Sequence, residues 1–369
     1  MKRTISIKLE TTDEQGQKLG SLRETFLSAC NAIVPSVMEH RCWNRVALHN
    51  LVYSAIRSSS SLGSQMVCNA IFAVCKAYKN RLISKGEAIP RITFHKNRSV
   101  HFDKRTYSIK GDRLSLYTLE GRLSVKMRMG PFQRDYFLRG IPKEAELVYS
   151  RGSWYFNLVV ELPDPLSTEK SLLFGVDLGE NALAATSSGL IFNGNSIRYE
   201  RDKFLGKRRR LQSNGSQSAK QLLKKISGRE SRRMKQINHT VSKAIIKEAI
   251  RQGAGSIVLE DLINIRKRIR GGKRMRTRLH RWAFRQLQTF IHYKAESQGL
   301  QVLYVNPAYS SQLCSLCGAL GQRLKHHFTC LCGNQQHSDW NASRNLCRFV
   351  SSLDNTTCAV NRTQVAAHR

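Results

Sequence analysis

Residues 172–179 read Leu-Leu-Phe-Gly-Val-Asp-Leu-Gly, and this stretch decides the fold of the second half of the chain. A short apolar run bounded by turn residues is typical of a buried strand, which we place at Leu172–Asp177. Outward from it, the sequence alternates strands with helices, and this alternation predicts an α/β domain. The other predicted elements are strands at Leu183–Ser187, Leu190–Phe192, Ser256–Glu260 and Leu300–Val305, and helices at about Asp202–Gln252, Arg281–Gln298 and Ser338–Phe349.

The first half of the chain follows a different pattern. Residues 1–10 alternate like one β-strand, residues 12–84 have helical spacing, and after Pro90 short strand-like runs are separated by turn residues. We expect a small antiparallel β-barrel that includes residues 1–10, with the helices inserted between its strands. Pro163-Asp164-Pro165 marks the boundary to the α/β domain. The predicted helical segments are Glu24–Ile33, Val46–Ile56 and Ser64–Arg81, and the predicted strands are Arg91–Phe94, Ser99–Phe102, Ser108–Ile109, Arg113–Thr118, Arg122–Arg128, Ala145–Arg151 and Ser153–Leu162.

The chain is strongly basic. Its 369 residues include 61 Lys and Arg against 26 Asp and Glu, a formal net charge of +35. A folded protein of this charge repels itself unless a polyanion neutralises it, and nucleic acid is the commonest such partner. A ribosomal or chromatin-packing protein is the plain alternative. Because the sequence lacks a long apolar stretch and the apolar core of a signal peptide, we expect no membrane partner. We expect a cytoplasmic, nucleoid-associated protein of a bacterium or an archaeon.

Two basic runs are the candidate nucleic-acid contacts. Thirteen Lys or Arg lie between Arg201 and Lys235, and nine lie between Arg266 and Arg281. A charge run is usually a solvated helix face, but helices with few counter-charges repel themselves unless they lie along phosphates. The residues predicted to bind nucleic acid are Lys207, Arg208, Arg209, Arg210, Lys224, Lys225, Arg232, Arg233, Arg266, Lys267, Arg268, Arg270, Lys273 and Arg274.

Carboxylates stand at the ends of three predicted elements. Asp177 and Glu260 end apolar strands, and Asp339 begins the last helix. Groups placed in this way can converge at one edge of a sheet, where their repulsion requires divalent cations. Two Mg²⁺ ions about 3.5–4 Å apart can then activate a water molecule and stabilise the leaving oxygen of a phosphodiester. The alternatives are a turn cap for Asp177 and a helix N-terminal charge for Asp339; of Glu260 and its neighbour Asp261, we take Glu260 as the ligand.

Four cysteines form two close pairs. Cys314 and Cys317 are separated by two residues, Cys330 and Cys332 by one, and a glycine follows each pair. Thiolates on two such turns provide the tetrahedral ligand set of a structural zinc ion, although the second spacing is shorter than usual. Two alternatives stay open: a redox-active cysteine pair, or a histidine in place of one sulfur. The candidate histidines are His326, His327 and His337.

Four motifs resemble the TnpB family, transposon-encoded relatives of type V CRISPR effectors. They are Gly175-Val-Asp-Leu-Gly179, Val258-Leu-Glu-Asp-Leu262, Asn306-Pro-Ala-Tyr-Ser-Ser-Gln312 with the first cysteine pair after it, and Asp339-Trp-Asn-Ala-Ser-Arg-Asn345. The motifs span about residues 170–350, and the first half matches in layout only. Two positions depart from the family pattern: the Cys-x-Cys pair, and Asn-Ala-Ser where Asn-Ala-Ala is usual.

The resemblance implies an RNA-guided DNA endonuclease that binds a guide RNA and double-stranded target DNA, with sequence read by base pairing. It implies that Asp177, Glu260 and Asp339 are catalytic ligands of two Mg²⁺ ions, and that the four cysteines hold a structural zinc ion. The implied layout is a β-barrel wedge domain (1–10 and 91–165) with a helical recognition insert (11–90), an RNase H-like (RuvC) nuclease domain (170–308 and 337–350) with an inserted zinc ribbon target-loading module (309–336), and a disordered tail (351–369).

Two other functions fit the same motifs. A guided DNA-binding or transposition accessory protein would keep the charge and the zinc site, but it would not need three intact carboxylates. A transposase would use the same metal chemistry on transposon ends without RNA. Because all three carboxylates are present, we expect a protein that cleaves DNA.

Overall fold

The computed structural model of the chain describes residues 1–81, 83–84, 86–165, 171–179, 181–262, 284–306 and 308–353. These residues divide into two compact units, one formed by Met1–Pro163 and one that begins at Asp164. The division falls inside the Pro163-Asp164-Pro165 sequence, which belongs to no strand or helix.

The first unit is built on a seven-stranded antiparallel sheet with the order β2-β6-β7-β1-β5-β4-β3. Its strands are β1 (Lys2–Glu10), β2 (Val100–Phe102), β3 (Tyr107–Lys110), β4 (Arg113–Thr118), β5 (Gly121–Arg128), β6 (Ile141–Ser150) and β7 (Ser153–Glu161). As expected, the first ten residues join this sheet, and they supply its central strand, with Ile5, Ile7 and Leu9 buried in the core.

The sheet curves until its two edges approach each other. Tyr107 belongs to β3 at one edge, yet its phenol donates a hydrogen bond of 2.5 Å to the backbone oxygen of Lys143 in β6, next to the other edge. Its ring also packs edge-on against Phe156 of β7, with ring centroids 5.2 Å apart. The first unit is therefore a near-closed barrel.

Three helices lie between β1 and β2 in the chain: α1 (Asp13–His40), α2 (Arg45–Ser59) and α3 (Ser64–Lys79). Thr12 fixes the start of α1 through a capping box with Gln15. The prediction of a strand at Arg91–Phe94 was wrong. The backbone N–H and C=O of Phe94 are bonded to the side-chain amide of Asn31 in α1, at 2.8 and 3.1 Å, and not to a neighbouring strand.

A fourth helix, α4 (Pro131–Arg139), was not predicted from the sequence. It begins with Pro131 at its first position and buries none of its side chains, so no apolar periodicity marks it. Strand β6 also begins earlier than predicted. Its register shifts between Pro142 and Ala145, and this irregularity accommodates a proline inside the sheet.

The second unit contains a five-stranded sheet with the order β10-β9-β8-β11-β12. Strands β8, β11 and β12 are parallel, whereas β9 runs antiparallel to both β8 and β10. The elements are β8 (Leu173–Asp177), β9 (Ala182–Thr186), β10 (Ile191–Asn193), β11 (Ser256–Glu260), β12 (Gln301–Val305), α5 (Asn195–Asn214), α6 (Gln217–Arg251), α7 (Phe284–Glu296) and α8 (Ser338–Leu353). The alternation of strands and helices that the sequence predicts is present.

Two predicted helices of this unit differ from the observed bounds by more than three residues. The basic stretch from Asp202 to Gln252 is two helices, because Gly215 adopts a left-handed conformation with φ of 65° and Ser216 caps α6 by accepting a hydrogen bond from the N–H of Ala219. The last helix extends to Leu353, so residues 351–353 are helical and not part of a disordered tail. Residues 354–369 lie outside the described residues.

A small three-stranded antiparallel sheet stands between β12 and α8 in the chain. It consists of β13 (Gln322–Leu324), β14 (His327–Thr329) and β15 (Gln335–His337), and it carries the two cysteine pairs on the turns beside it. In the described part of the chain, no helix has the length and apolar character needed to cross a membrane.

Candidate active site and cysteine cluster

The sheet of the second unit positions two of the three candidate carboxylates. Strands β8 and β11 are parallel neighbours, with Leu259 paired to Val176. Asp177 and Glu260 each follow one of these paired residues, so both stand at the carboxyl edge of the sheet. Neighbouring parallel strands end at the same edge, and this explains why two residues far apart in the sequence become neighbours.

The packing of α8 on β8 positions the third carboxylate. A Cβ atom built on Gly175 would lie 1.9 Å from the backbone oxygen of Ser343, so the strand and the helix backbone can approach this closely only at a residue without a side chain. Asp339 is in the first turn of this helix and is 6% exposed. The glycine of the Gly-Val-Asp motif therefore helps to bring Asp339 to the end of β8.

The three carboxyl groups lie close enough to affect one another's ionisation. The pKa of Asp177 is well above its ordinary value, first because the group is withdrawn from water, and then because Glu260 and Asp339 place negative charge beside it. Arg323 and the backbone N–H of Leu178 act in the opposite direction. Burial raises the pKa of Glu260 to about 7, against a hydrogen bond from Ser310. The structure therefore brings Asp177, Glu260 and Asp339 together in one water-poor site.

Glu260 and not Asp261 faces this site. The Ser310 hydroxyl donates to Glu260 Oε1 at 3.0 Å, and Glu260 acts on the ionisation of Asp177. Asp261 continues the pairing with β12 through its N–H, bonded to the backbone oxygen of Val305 at 2.7 Å, and its charge acts on Tyr304 instead. Successive strand residues point to opposite faces, so only one of the two acids can belong to the site.

Two polar residues of the site were missed by the sequence analysis. Ser310 lies in the Asn306–Gln312 motif, whose presence could have identified it, but no role was assigned to it there. Arg323 gave no such signal, because it is one arginine among many in a basic chain. In the structure its Nη2 lies 2.8 Å from Asp339 Oδ1, and its positive charge offsets part of the carboxylate repulsion.

Two groups of potential metal ligands occur among the described residues, each with all its ligand atoms within 4.8 Å of one another. One consists of the four cysteines, and the other of His326, His337 and Asp339. The three carboxylates do not form a group of this kind in the described residues, so their oxygens are more widely spread than the ligands of one central ion.

The four cysteines form a compact cluster. Cys314 Sγ lies 3.6 Å from Cys332 Sγ, and Cys317 Sγ lies 3.6 Å from Cys330 Sγ. Four thiolates about 2.3 Å from a tetrahedral zinc ion are about 3.8 Å apart, so this cluster can hold zinc. All four ligands are cysteines, and the candidate histidines His326 and His337 belong to the other group.

The turns that carry the cysteines explain how the shorter second pair fits. Gly318 and Gly333 both have positive φ, 83° and 87°, and the N–H of each glycine bonds back to the backbone oxygen of the first cysteine of its pair. Burial alone would raise the pKa of Cys314, but backbone N–H groups of the first turn and the side chain of Asn334 lower it to about 6. This environment favours the thiolate of Cys314, the form that binds metal, whereas at Cys332 the neighbouring cysteine sulfurs outweigh the backbone N–H of Asn334 and raise the pKa to about 12.

The basic residues divide into those that the structure describes and those that it does not. Arg266, Lys267, Arg268, Arg270, Lys273 and Arg274 lie outside the described residues. Of the other eight, six are exposed on α5 and α6 and form no ion pair with a described residue: Lys207, Arg209, Arg210, Lys224, Lys225 and Arg232. Arg208 is bonded to Glu230 at 2.9 Å, and Arg233 lies 3.5 Å from Glu200. The few acidic residues near these helices therefore neutralise two of the residues predicted to contact nucleic acid.

Known proteins share the motifs that build these sites. A family described as "Probable transposase" matches residues 157–266, and one described as "Cas12f1-like, TNB domain" matches residues 284–346. The first match contains Asp177 and Glu260, and the second contains the cysteine cluster and Asp339. The second unit thus has the parts of a transposase-like and Cas12f1-like protein.

A TnpB-like protein of Methanocaldococcus jannaschii is 32% identical over 242 residues, which are 59% of this chain and 84% of the relative. The chain belongs to this TnpB-like family. The CRISPR-associated endodeoxyribonuclease Cas12f1 of Sulfoacidibacillus thermotolerans is 31% identical over 53% of the chain and 50% of its own length. The "Putative RNA-guided DNA endonuclease InsQ" of Escherichia coli K12 is 30% identical over 56% of each protein. The chain thus spans about half the length of these last two relatives.

Proposed function

We propose that the chain is an RNA-guided DNA endonuclease that hydrolyses phosphodiester bonds at Asp177, Glu260 and Asp339. The observation that carries the proposal is the meeting of these three acids at one sheet edge in a strongly basic protein. The strand order β10-β9-β8-β11-β12, with an acid at the end of each of two parallel strands and a third on the helix packed against them, supports an RNase H-like fold for this unit. The names of two relatives support the same activity.

The donor set of the site fits magnesium. All three groups are carboxylates, which are the ligands that Mg²⁺ takes together with phosphate oxygens and water. Ions bound there would supply charge neutralisation and an activated water molecule for an in-line displacement. The pKa of Asp177 is raised by burial and by the two neighbouring acids, and that of Glu260 by burial, as expected of acids in a water-poor site without counter-ions.

Other residues of the site hold the carboxylates in place. Ser310 donates to Glu260 Oε1 at 3.0 Å, and the amide of Gln288 donates to the backbone oxygen of Glu260 at 2.7 Å. These bonds fix the end of β11 from two sides. Arg323 pairs with Asp339 and places a cation beside the acids, where it would attract a substrate phosphate. The low polarity around the acids strengthens each of these interactions.

The remaining parts of the chain would bind the nucleic acids. We propose that the exposed basic face of α5 and α6 lies along phosphates of the guide or target. The layout also supports a wedge domain at residues 1–10 and 91–165, with residues 11–90 as a recognition insert, a zinc ribbon at 309–336 with a structural ion, and nuclease segments at 170–308 and 337–350.

The test combines RNA identification with cleavage. Protein expressed with the DNA that flanks its gene should co-purify with one RNA of defined sequence, and the complex with Mg²⁺ should cut DNA that pairs with this RNA. The Asp177→Ala complex should keep target binding and lose cleavage by at least about 10³-fold. Asp261→Ala, on the opposite face of the same strand end, should still cleave.

Other outcomes would reject the proposal. Target binding without cleavage by the unsubstituted complex would indicate an accessory protein. Activity on transposon ends without RNA would indicate a transposase. Equal cleavage by the unsubstituted and Asp177→Ala complexes would remove Asp177 from catalysis.

A further inference from the structure

We propose that His326, His337 and Asp339 form a binding site for a transition-metal ion such as Zn²⁺ or Co²⁺, separate from the four-cysteine cluster. One ligand atom from each of the three residues lies within 4.8 Å of the others. Ligands about 2.0–2.2 Å from a tetrahedral zinc ion are about 3.3–3.6 Å apart, so side-chain shifts of up to roughly an ångström would close the site.

The backbone brings the three residues together. His326 lies in the two-residue turn between β13 and β14, where Lys325 has a positive φ of 55°. His337 is the last residue of β15, and Asp339 follows in the first turn of α8. The N–H of Ser338 donates to the backbone oxygen of His326 at 2.8 Å and so fastens the turn to the start of the helix. The site therefore needs no rearrangement of the chain.

The side chains present the lone pairs that a metal ion requires. The imidazole rings of His326 and His337 are stacked, with centroids 5.4 Å apart and planes inclined by 21°. Nδ1 of His337 accepts a hydrogen bond of 3.3 Å from the N–H of Asp339, so its one lone pair points toward Asp339, and an ion bound through this nitrogen would replace the long hydrogen bond. Arg323 is bonded to Oδ1 of Asp339, and a carboxylate has a second oxygen for an ion.

The ligand chemistry selects the kind of ion. Two imidazoles and one carboxylate suit zinc and its neighbours among the divalent transition metals, whereas magnesium takes oxygen ligands and keeps most of its water. His326 is exposed, so three protein ligands would leave positions for water on the solvent side. This donor set differs both from the four thiolates and from the three carboxylates.

The site shares Asp339 with the proposed nuclease site, and the consequence of this sharing rests on the proposed function. An ion held by His326 and His337 would compete for the carboxylate that catalysis needs. We therefore expect low concentrations of Zn²⁺ to inhibit Mg²⁺-dependent cleavage, and loss of either histidine to weaken this inhibition.

The binding test needs no activity. Full-length protein loaded with one equivalent of Zn²⁺ at the cysteines is titrated with Co²⁺, and the visible absorption is followed. A second equivalent should bind and give weak d–d bands without the intense sulfur-to-cobalt charge transfer of a thiolate site. His326→Gln and His337→Gln should each weaken this binding by at least about tenfold. His327→Gln is the matched control, since it changes the neighbouring histidine of the same hairpin and should leave binding unchanged.

The outcomes are separable from those of the nuclease proposal. The proposed metal site is wrong if the protein binds no second equivalent of Co²⁺. It is also wrong if His326→Gln and His337→Gln both bind the second equivalent as the unsubstituted protein does, provided that zinc content and thermal unfolding show both variants to be folded. If Asp339 links metal binding to cleavage, Zn²⁺ should inhibit cleavage about tenfold more weakly in both histidine variants than in His327→Gln. Equal inhibition in all three variants would contradict this link. A protein that binds Co²⁺ as described but never cleaves DNA contradicts the nuclease proposal alone.

Discussion

Among the described residues, Arg323 and the N–H of Leu178 favour the charged form of Asp177, but they do not offset its burial and the repulsion from two other acids. Asp177 stands in a water-poor site with two other acids, and the arginine beside them is bonded to Asp339. Acidic groups held together in this way destabilise the folded protein until cations bind. Such a destabilising arrangement is common at functional sites, because selection for stability alone would not produce it.

We expect Asp177→Asn to stabilise the metal-free protein while it abolishes cleavage. The amide removes one buried charge without changing the shape of the site, so the free energy of unfolding should rise by about 1–2 kcal/mol. Thermal unfolding in a chelator such as EDTA would check this. Asp202→Asn, at an exposed position of α5, should change the midpoint little. A lower midpoint for Asp177→Asn would mean that the carboxylate is satisfied in the folded protein.

The increase in stability caused by Asp177→Asn should be smaller at low pH than at neutral pH. The pKa of Asp177 is raised on folding, so the folded state binds more protons than the unfolded state and loses stability as the pH rises through the range between the two pKa values. The destabilisation is complete above the folded pKa and absent below the unfolded one. The difference in unfolding midpoint between the two proteins should therefore shrink as the pH is lowered toward 4, and a constant difference would contradict this account.

At the scale of elements, the close approach of α8 to β8 depends on Gly175. A methyl group at this position would overlap the backbone oxygen of Ser343, which cannot move without shifting the helix, and would press on the sulfur of Cys347. Gly175→Ala should lower the free energy of unfolding by about 3 kcal/mol or more, as measured by denaturant unfolding. Gly206→Ala is the control. Gly206 lies inside α5 with nothing near its missing Cβ, so alanine there should stabilise by about 0.5–1 kcal/mol.

The small sheet β13–β15 has few buried side chains. We therefore expect it to be folded only when a metal ion is bound at the cysteines. Phe328 is its one fully buried large side chain among the described residues, whereas Leu320, Leu324 and Leu331 are exposed. Protein with intact cysteines should contain about one tightly bound zinc per chain, with any ion at the weaker histidine site removed by mild chelation. Cys332→Ser should lose this zinc, and trypsin should then cut after Lys325.

Cys347→Ser provides the comparison for this experiment. Cys347 lies on α8 against the backbone oxygen of Leu173, away from the cluster, so this variant should keep its zinc and resist trypsin at Lys325. Elemental analysis measures the zinc content, and mass spectrometry of the fragments shows whether trypsin has cut after Lys325. Resistance of the Cys332→Ser protein would show that the small sheet is ordered without metal.

The elements that were predictable from the sequence are those with strong local signals. Strands such as β1 and β8 have clear apolar patterns, and the paired cysteines have a spacing that few other sites share. Helix α4 and the break at Gly215 were missed because one buries no side chain and the other depends on a single residue. Arg323 and the grouping of His326 with His337 could not be foreseen, since they depend on the pairing of β13, β14 and β15 and on where this sheet meets α8.

At the scale of the whole molecule, a net charge of +35 would make the proposed nucleic-acid binding strongly dependent on salt. Only those charges that contact phosphates contribute to this dependence, because internal ion pairs release no counterions on binding. Exposed residues of α6 illustrate the difference. Lys224, Lys225 and Arg232 are exposed, whereas the adjacent Arg233 lies 3.5 Å from Glu200.

We expect a variant with Lys224, Lys225 and Arg232 all changed to Gln to bind RNA with a shallower salt dependence than the unsubstituted protein. Each phosphate contact that is lost lowers the slope of log K against log salt by about 0.7–0.9, so the triple variant should lose roughly 2–3 units of slope. Arg233→Gln should change the slope by less than about 1, since Glu200 already offsets this charge. Fluorescence anisotropy with a labelled RNA over a series of salt concentrations measures both. An unchanged slope in the triple variant would mean that this face of α6 is solvated and that the phosphates are bound elsewhere.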